Sequence, residues 1–100
     1  MLKNSAGQSI IRVKKVTLTG APNSITQREN AKGGIDRNYY DSEGKQTKQI
    51  SNNDHGHKKE SKFGNHGEHA HDYYFVDGLL KHGPARELTE IEREENSDIL

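Results

Sequence analysis

The dipeptide Asp77-Gly78 is the feature that most constrains the fold of this chain. It separates two runs that contain apolar residues, "HAHDYYFV" and "LLKH". An Asp-Gly pair in this setting is typical of a two-residue hairpin turn, because the turn needs positive φ angles. We therefore expect a β-hairpin over residues 69–86. The predicted pairs are Val76 with Leu79, Phe75 with Leu80, Tyr74 with Lys81 and Tyr73 with His82.

This hairpin would gather histidines on one face of a sheet. Side chains along a strand alternate between the two faces, so residues of the same parity lie together. The predicted shared face grades from apolar near the turn to polar away from it, which is the layout of a pocket at the edge of a core. Its members are His69, His71, Tyr73 and Phe75 on the first strand and Leu80 and His82 on the second. Arg86 joins them if the pairing continues past Pro84.

A second hairpin is predicted over residues 35–50. The strand-like runs "IDRNYY" and "KQTKQIS" flank a four-residue turn, Asp41 to Gly44. Direct closure of this turn would place Arg37 opposite Lys48, and like charges opposed on a sheet are unfavourable. Either a bulge near Gly44 changes the register, or an anion lies between the two cations. That anion is either a carboxylate of the same chain or a phosphate.

The remaining segments complete a single domain over residues 1–100. We predict a twisted antiparallel sheet of four to five strands with one short C-terminal helix, which is class α+β and mainly β. The expected segments are a flexible stretch at 1–7, a first strand at 8–19 and a polar, glycine-containing loop at 51–68.

The C-terminal helix is predicted over residues 89–97. Thr89 and Glu92 have the spacing of a capping box, in which each side chain accepts a hydrogen bond from the other residue's backbone. The apolar side chains expected to pack this segment against the sheet are Leu88, Ile91 and Ile99.

Composition narrows the function classes. The 100 residues are 28% hydrophobic, and the 15 Lys plus Arg balance the 15 Asp plus Glu. Zero net charge removes the broad basic field of a general nucleic-acid coat, although a local basic patch is compatible with it. No cysteine is present for disulfides or thiolate chemistry, and the apolar runs are too short to span a membrane.

The predicted histidine face is suited to cleaving RNA without a metal. A ribose 2′-hydroxyl attacks its own phosphate if one group removes its proton and another protonates the leaving oxygen. Histidine serves both roles because it titrates near neutral pH, and a cation stabilises the charge on the phosphate. The candidates are His69, His71 and His82 as acid and base, Tyr73 as a stacking or proton-sharing group, and Arg37, Lys48 and Arg86 as phosphate ligands.

Two other interpretations stay open. His69 and His71 are two residues apart on one strand, a spacing that can share a zinc ion or another transition metal, and His55 and His57 repeat the pattern in the loop. No cofactor is needed for the first interpretation, and a divalent metal is needed for this one. The third interpretation has no chemistry: the loop histidines are solvated and the others form a half-buried hydrogen-bonding face.

Three phrases resemble a known kind of protein module. They are "GGIDRNYYDSEGKQTKQISNNDHG", "GEHAHDYYF" and "ARELTEIEREENSDIL". From about Gly20 to Leu100 the chain resembles a short module at the C-terminal ends of longer bacterial and prophage proteins. Among these are phage minor-head (head morphogenesis) proteins of Gram-positive bacteria and polymorphic-toxin-like proteins.

The resemblance implies a C-terminal domain, either a fragment of a longer parent chain or a stand-alone version. Modules of toxin-like proteins are often small nucleases, including metal-free RNases on a twisted sheet, so RNA is one implied partner. A phage-head context implies instead a non-enzymatic structural or interaction module that contacts head proteins. The implied location is the bacterial cytoplasm or the virion. Zero net charge departs from a typical nucleic-acid toxin.

Overall fold

The computed structural model describes residues 2–54 and 62–100. Within them, one mixed sheet of seven strands lies beside one short helix, so the α+β, mainly β class is confirmed with more strands than predicted. The sheet is open, and its strands follow chain order from β1 to β7. The elements are β1 Leu2–Lys3, β2 Ser9–Arg12, β3 Ile25–Glu29, β4 Ile35–Tyr40, β5 Gln46–Ser51, β6 His69–Val76, β7 Leu79–His82 and α1 Glu90–Glu95.

Neighbouring strands are antiparallel except β2 and β3, which are parallel. The segment predicted as the first strand, 8–19, is a strand only over Ser9–Arg12, and β1 precedes it within the stretch 1–7 that was predicted to be flexible. Among the described residues, no helix is long and apolar enough to cross a membrane.

The β6–β7 hairpin has the predicted register, with Tyr73 opposite His82 and Val76 opposite Leu79. Asp77 and Gly78 have φ angles of 51° and 77°, which are the two positive values of a type I′ turn. Past His82 the pairing changes: Ala70, rather than His69, lies opposite Arg86. The prediction that Arg86 joins the histidines is therefore wrong, because one extra residue in the stretch after His82 reverses its side-chain direction.

The β4–β5 hairpin differs from direct closure by two residues. Arg37 lies opposite Ile50 and Tyr39 lies opposite Lys48, so the predicted pairing of Arg37 with Lys48 is wrong. Gly44 has a φ of 78°, and its N–H donates to the Asp41 carbonyl at 3.0 Å, which closes the turn. Strand pairing then begins with Tyr40 opposite Gln46 instead of Lys45, a shift of one residue. A second irregularity between Tyr39 and Tyr40 completes the shift. The bulge alternative near Gly44 is thus confirmed, and it removes the like-charge opposition.

The helix α1 covers one face of the sheet, which we call the helix face. The cluster of apolar side chains beneath the helix is small: Ile50, Ala70 and Leu88, with Tyr39 beside them. Ile10, Ile25 and Tyr40 are also buried. The Thr89–Glu92 capping box is present as predicted. Ile91 is 67% exposed, so the expectation that it packs against the sheet is wrong. Polar side chains of the helix, described below, hold it to the sheet instead.

The opposite surface is the histidine face. Residues paired across neighbouring strands share a face, so the registers define its rows directly. One row is Arg28, Asp36, Ser51 and His69, and the next is Thr26, Asn38, Gln49 and His71. Tyr73, Phe75 and His82 continue this face along the hairpin.

Candidate functional site

The histidine face brings the predicted imidazoles into direct succession. The ring of His71 lies 5.2 Å from that of His69, edge to face, and 5.3 Å from that of His82, nearly parallel. The ring of Tyr73 lies 5.7 Å from that of His82. The predicted shared face of these four residues is therefore confirmed. It follows from strand alternation together with the Asp77-Gly78 turn.

The protonation pattern of His71 is set by the backbone. Its Nδ1 lies 2.8 Å from the Gly83 carbonyl oxygen, which can only accept, so Nδ1 carries the hydrogen. The Gly83 N–H in turn donates to the Asp72 carbonyl at 2.8 Å and holds this segment in place. In the neutral imidazole the lone pair is therefore on Nε2, the nitrogen that can take a proton from a substrate.

His69 has a different environment from its neighbours. It is completely buried, and its Nδ1 donates to the Gly67 carbonyl at 2.8 Å. Its ring lies between His71 and the ring of Phe63, which is 6.4 Å away. Because His69 is completely buried, a molecule bound at the surface would touch His71 rather than His69.

A cavity of about 360 Å³ opens beside His71 and His82. Lys62, Phe63 and Gly83 also line it. Sequence reasoning missed Lys62 and Phe63, because they lie in a segment with no strand or helix periodicity that would have aimed them at the histidines. They supply a cation and an aromatic surface to a cavity that already contains two imidazoles.

Tyr73 stays protonated at neutral pH in this setting. Burial raises the pKa of its hydroxyl above the ordinary value, and the negative charge of Asp36 raises it further. The Tyr73 hydroxyl is therefore available as a hydrogen-bond donor. Further along the same face, the Lys45 ammonium lies 4.5 Å from the centre of the Phe75 ring.

The three predicted phosphate ligands all lie on the helix face. Arg37 is completely buried, and its guanidinium donates to both carboxylate oxygens of Asp98, at 2.9 and 2.6 Å. It also donates to Asn96 and Gln27 at 3.0 and 2.9 Å. The carboxylate of the same chain, one of the two anions considered above, is therefore the partner of Arg37. No exposed part of this guanidinium is left to contact a phosphate.

Lys48 and Arg86 converge on Glu92 of the helix. Arg86 donates to Glu92 at 2.8 and 2.9 Å and to Asp72 at 2.7 and 2.9 Å, and Lys48 reaches Glu92 at 3.1 Å. Burial alone would raise the pKa of Glu92, but hydrogen bonds from Arg86, the Thr89 N–H and Lys48 lower it to about 2. The same hydrogen bonds to Glu92 and Asp72 raise the pKa of Arg86. This network attaches the helix to the sheet.

The structure describes two of the four histidines predicted as alternative metal ligands, His69 and His71. Among the described residues, no group of three or more His, Cys, Asp or Glu side chains is arranged to hold a metal ion. His69 and His71 are adjacent, but their rings meet edge to face. The other two predicted ligands, His55 and His57, lie outside the described residues.

Comparison with known proteins adds no relative. No protein-family model matches the chain, and searches of curated proteins and of solved structures also found no match. The resemblance to phage minor-head and toxin-like modules therefore stays a prediction. The class of protein that fold and site define is a small open-sheet domain with a histidine-lined cavity.

Proposed function

We propose that this domain cleaves RNA without a metal ion, using His71 and His82 as its acid–base pair. The observation that carries the proposal is the pairing of two imidazoles 5.3 Å apart in a cavity, with the tautomer of one fixed by a backbone carbonyl. This reaction requires one group that removes a proton and another that donates one near neutral pH, and two imidazoles can fill both roles.

In the proposed reaction the His71 Nε2 removes the proton of a ribose 2′-hydroxyl. The 2′-oxygen forms a bond to the adjacent phosphorus, and the bond from phosphorus to the 5′-oxygen breaks. Protonated His82, the more exposed of the two imidazoles, gives its proton to the departing 5′-oxygen. The products are a 2′,3′-cyclic phosphate and a 5′-hydroxyl, and no oxidant or co-reactant is needed.

Other residues of the cavity support the same chemistry. Lys62 lines the cavity and takes the role of phosphate cation that the sequence assigned to Arg37, Lys48 and Arg86. Phe63 offers a ring for base stacking. Tyr73 does not line the cavity, but its ring lies 5.7 Å from that of His82, and its protonated hydroxyl is a further donor for a phosphate oxygen.

The test is cleavage of total RNA, and of a short RNA with a single 2′-deoxy position, in the presence of a chelator. We expect cleavage that survives the chelator, stops at the 2′-deoxy position and falls about 100-fold or more in His71→Ala and His82→Ala. Lys81→Ala is the matched control, because Lys81 is exposed on the same strand but lies opposite Tyr74, on the other face. Its activity should be unchanged.

The other outcomes separate the alternatives. Activity that the chelator abolishes would replace acid–base catalysis with the metal interpretation. Absence of cleavage by folded protein would contradict both enzymatic interpretations.

An exposed apolar patch favours a second candidate function, a non-enzymatic interaction module. The tip of the β6–β7 hairpin leaves Tyr74, Phe75, Val76 and Leu79 exposed, with Leu79 at 64%. Tyr74, Val76 and Leu79 share the face opposite the histidines, and exposed apolar side chains grouped in this way are typical of interaction sites. Under this candidate the partner is a phage head protein or the rest of a parent chain. Binding to purified head proteins should then be lost in Val76→Ser/Leu79→Ser while the domain stays folded.

A further inference from the structure

A second cavity, of about 740 Å³, lies at the far end of the histidine face. Arg28, Lys32 and His66 line it together with Asn52 and Asn53. None of the described residues that line it is an Asp or a Glu. Ile99 and Leu100 add apolar side chains to the lining, and the rest is a local concentration of cationic and hydrogen-bonding groups in a chain with no net charge.

The register connects this cavity to the imidazoles. Arg28 stands in the same cross-strand row as Asp36, Ser51 and His69, so its side chain is on the histidine face. Three strand spacings separate β3 from β6, a distance of about 14 Å. Arg28 forms a long ion pair with Asp36 at 4.0 Å, but its side chain is 44% exposed, so part of the guanidinium still faces solvent and can contact a ligand.

A short turn stands between the two cavities. Phe63 lines the first cavity and His66 lines the second. The buried carboxylate of Glu68 holds the turn by accepting hydrogen bonds from the backbone N–H groups of Asn65 at 2.6 Å and His66 at 3.1 Å. Lys62, His66, Arg28 and Lys32 thus form a succession of basic groups that leads from one cavity to the other.

We propose that the second cavity is a phosphate-binding subsite of the RNase site, so that the substrate is single-stranded RNA longer than a dinucleotide. This inference rests on the proposed function. The backbone of the RNA would cross the turn, with the scissile phosphate at His71 and a phosphate two or more nucleotides away at Arg28 and Lys32. Such contacts add affinity that depends on salt and not on base sequence.

Steady-state cleavage of two substrates tests the subsite. For an oligonucleotide of about ten residues, Arg28→Gln/Lys32→Gln should raise KM about tenfold with kcat nearly unchanged, while cleavage of a dinucleotide is unaffected. Lys3→Gln/Lys14→Gln is the control, since it removes the same charge at exposed positions that line neither cavity. An equal effect on both substrates, or an equal effect of the control, would overturn the proposal.

Binding gives a measurement that does not need cleavage. His71→Ala/His82→Ala protein is titrated with a fluorescent 2′-O-methyl oligonucleotide of about ten residues, and anisotropy is recorded over a range of salt concentrations. Adding Arg28→Gln/Lys32→Gln should weaken binding about tenfold and reduce the slope of log K against log salt by about 1.4.

The two proposals fail in different ways. If the wild-type protein cleaves no RNA but the inert protein binds it through Arg28 and Lys32, the proposed function is wrong and the subsite stands. If cleavage occurs but Arg28→Gln/Lys32→Gln matches wild type in both assays, the subsite is wrong and the proposed function stands.

Discussion

At the scale of single residues, Arg37 shows why charge alone is a poor guide to function. It is the largest of the completely buried side chains among the described residues, and its partners come from β3 and from the segment after α1. Transfer of a guanidinium out of water is costly unless the charge is paired, so Asp98 stabilises the fold. Hydrogen bonds from Arg37 also hold the pKa of Asp98 below its usual range.

Removing that counter-ion should destabilise the domain. Asp98→Asn leaves the Arg37 guanidinium buried without a carboxylate, and we expect a loss of about 2 to 3 kcal/mol in the free energy of unfolding, measured with urea. Glu43→Gln is the control, since the Glu43–Lys45 ion pair is exposed and should contribute about 0.5 kcal/mol or less. Equal effects of the two substitutions would contradict a structural role for the Arg37–Asp98 pair.

The tautomer of His71 can be read directly. The hydrogen bond to Gly83 predicts a protonated Nδ1 and an unprotonated Nε2 at a pH where the ring is neutral. Long-range proton–nitrogen correlation NMR of the imidazoles reports which nitrogen carries the proton. The opposite tautomer would remove the assignment of Nε2 as the base.

At the scale of elements, α1 is held by charge more than by apolar contact. Glu92 is the one helical residue that is buried, and it joins Arg86 and Lys48 on the sheet to the cap of the helix. The acidic first turn also suits the helix dipole. Attachment of the helix should therefore depend on pH.

The sign follows from the lowered pKa of Glu92. A carboxyl whose pKa falls from 4.5 to about 2 on folding stabilises the domain above pH 4.5, and that contribution is lost as the pH falls toward 2. Glu92→Gln keeps a capping side chain but should lose this stability at neutral pH and flatten the acid dependence of thermal unfolding. Glu90→Gln, an exposed change in the same turn, should leave the wild-type dependence intact.

The β6–β7 turn is the element on which the histidine face depends. Gly78 has a φ of 77° with open space where a Cβ would stand, so Gly78→Ala tests backbone strain alone. We expect a loss of about 1 kcal/mol in the free energy of unfolding, measured with urea. Asp77→Asn, which also suits a type I′ turn, should change stability little. Equal stability of the two variants would argue against the positive-φ turn.

At the scale of the whole molecule, the apolar core is small for a sheet of seven strands. Much of the interior is polar: Asn38, Gln46, Ser51 and His69 are completely or almost completely buried. The free energy of unfolding therefore depends on few apolar contacts, and the loss of any one of them should lower it substantially.

Two isoleucines give a matched test of this point. Ile50→Ala should lower the free energy of unfolding by about 3 kcal/mol, because Ile50 is completely buried in the core. Ile91→Ala should change it by about 0.5 kcal/mol or less, because the Ile91 side chain is mostly in solvent. Chemical denaturation of both variants measures these changes. Comparable losses in the free energy of unfolding would contradict this location of the core.

Local sequence patterns correctly predicted the features that depend on residues close together in the chain. The Asp77-Gly78 turn and strand alternation were enough to place His71, Tyr73 and His82 together, because the residues that set this geometry are adjacent in the chain. The capping box was visible for the same reason. By contrast, one extra residue after His82 was enough to move Arg86 to the other face, and Pro84 warns that pairing can break there without fixing the new register.

The sequence by itself therefore determined the hairpin, its register and the shared face of the histidines. Only the tertiary structure decided which cations are available to a ligand. Arg37 pairs with Asp98, which is 61 positions away in sequence, and Lys48 pairs with Glu92, which is 44 positions away. Lys62 and Arg28, by contrast, line cavities. Partners so far apart in sequence are chosen by how the whole sheet and helix pack, because burial of a charge is decided by the elements that cover it.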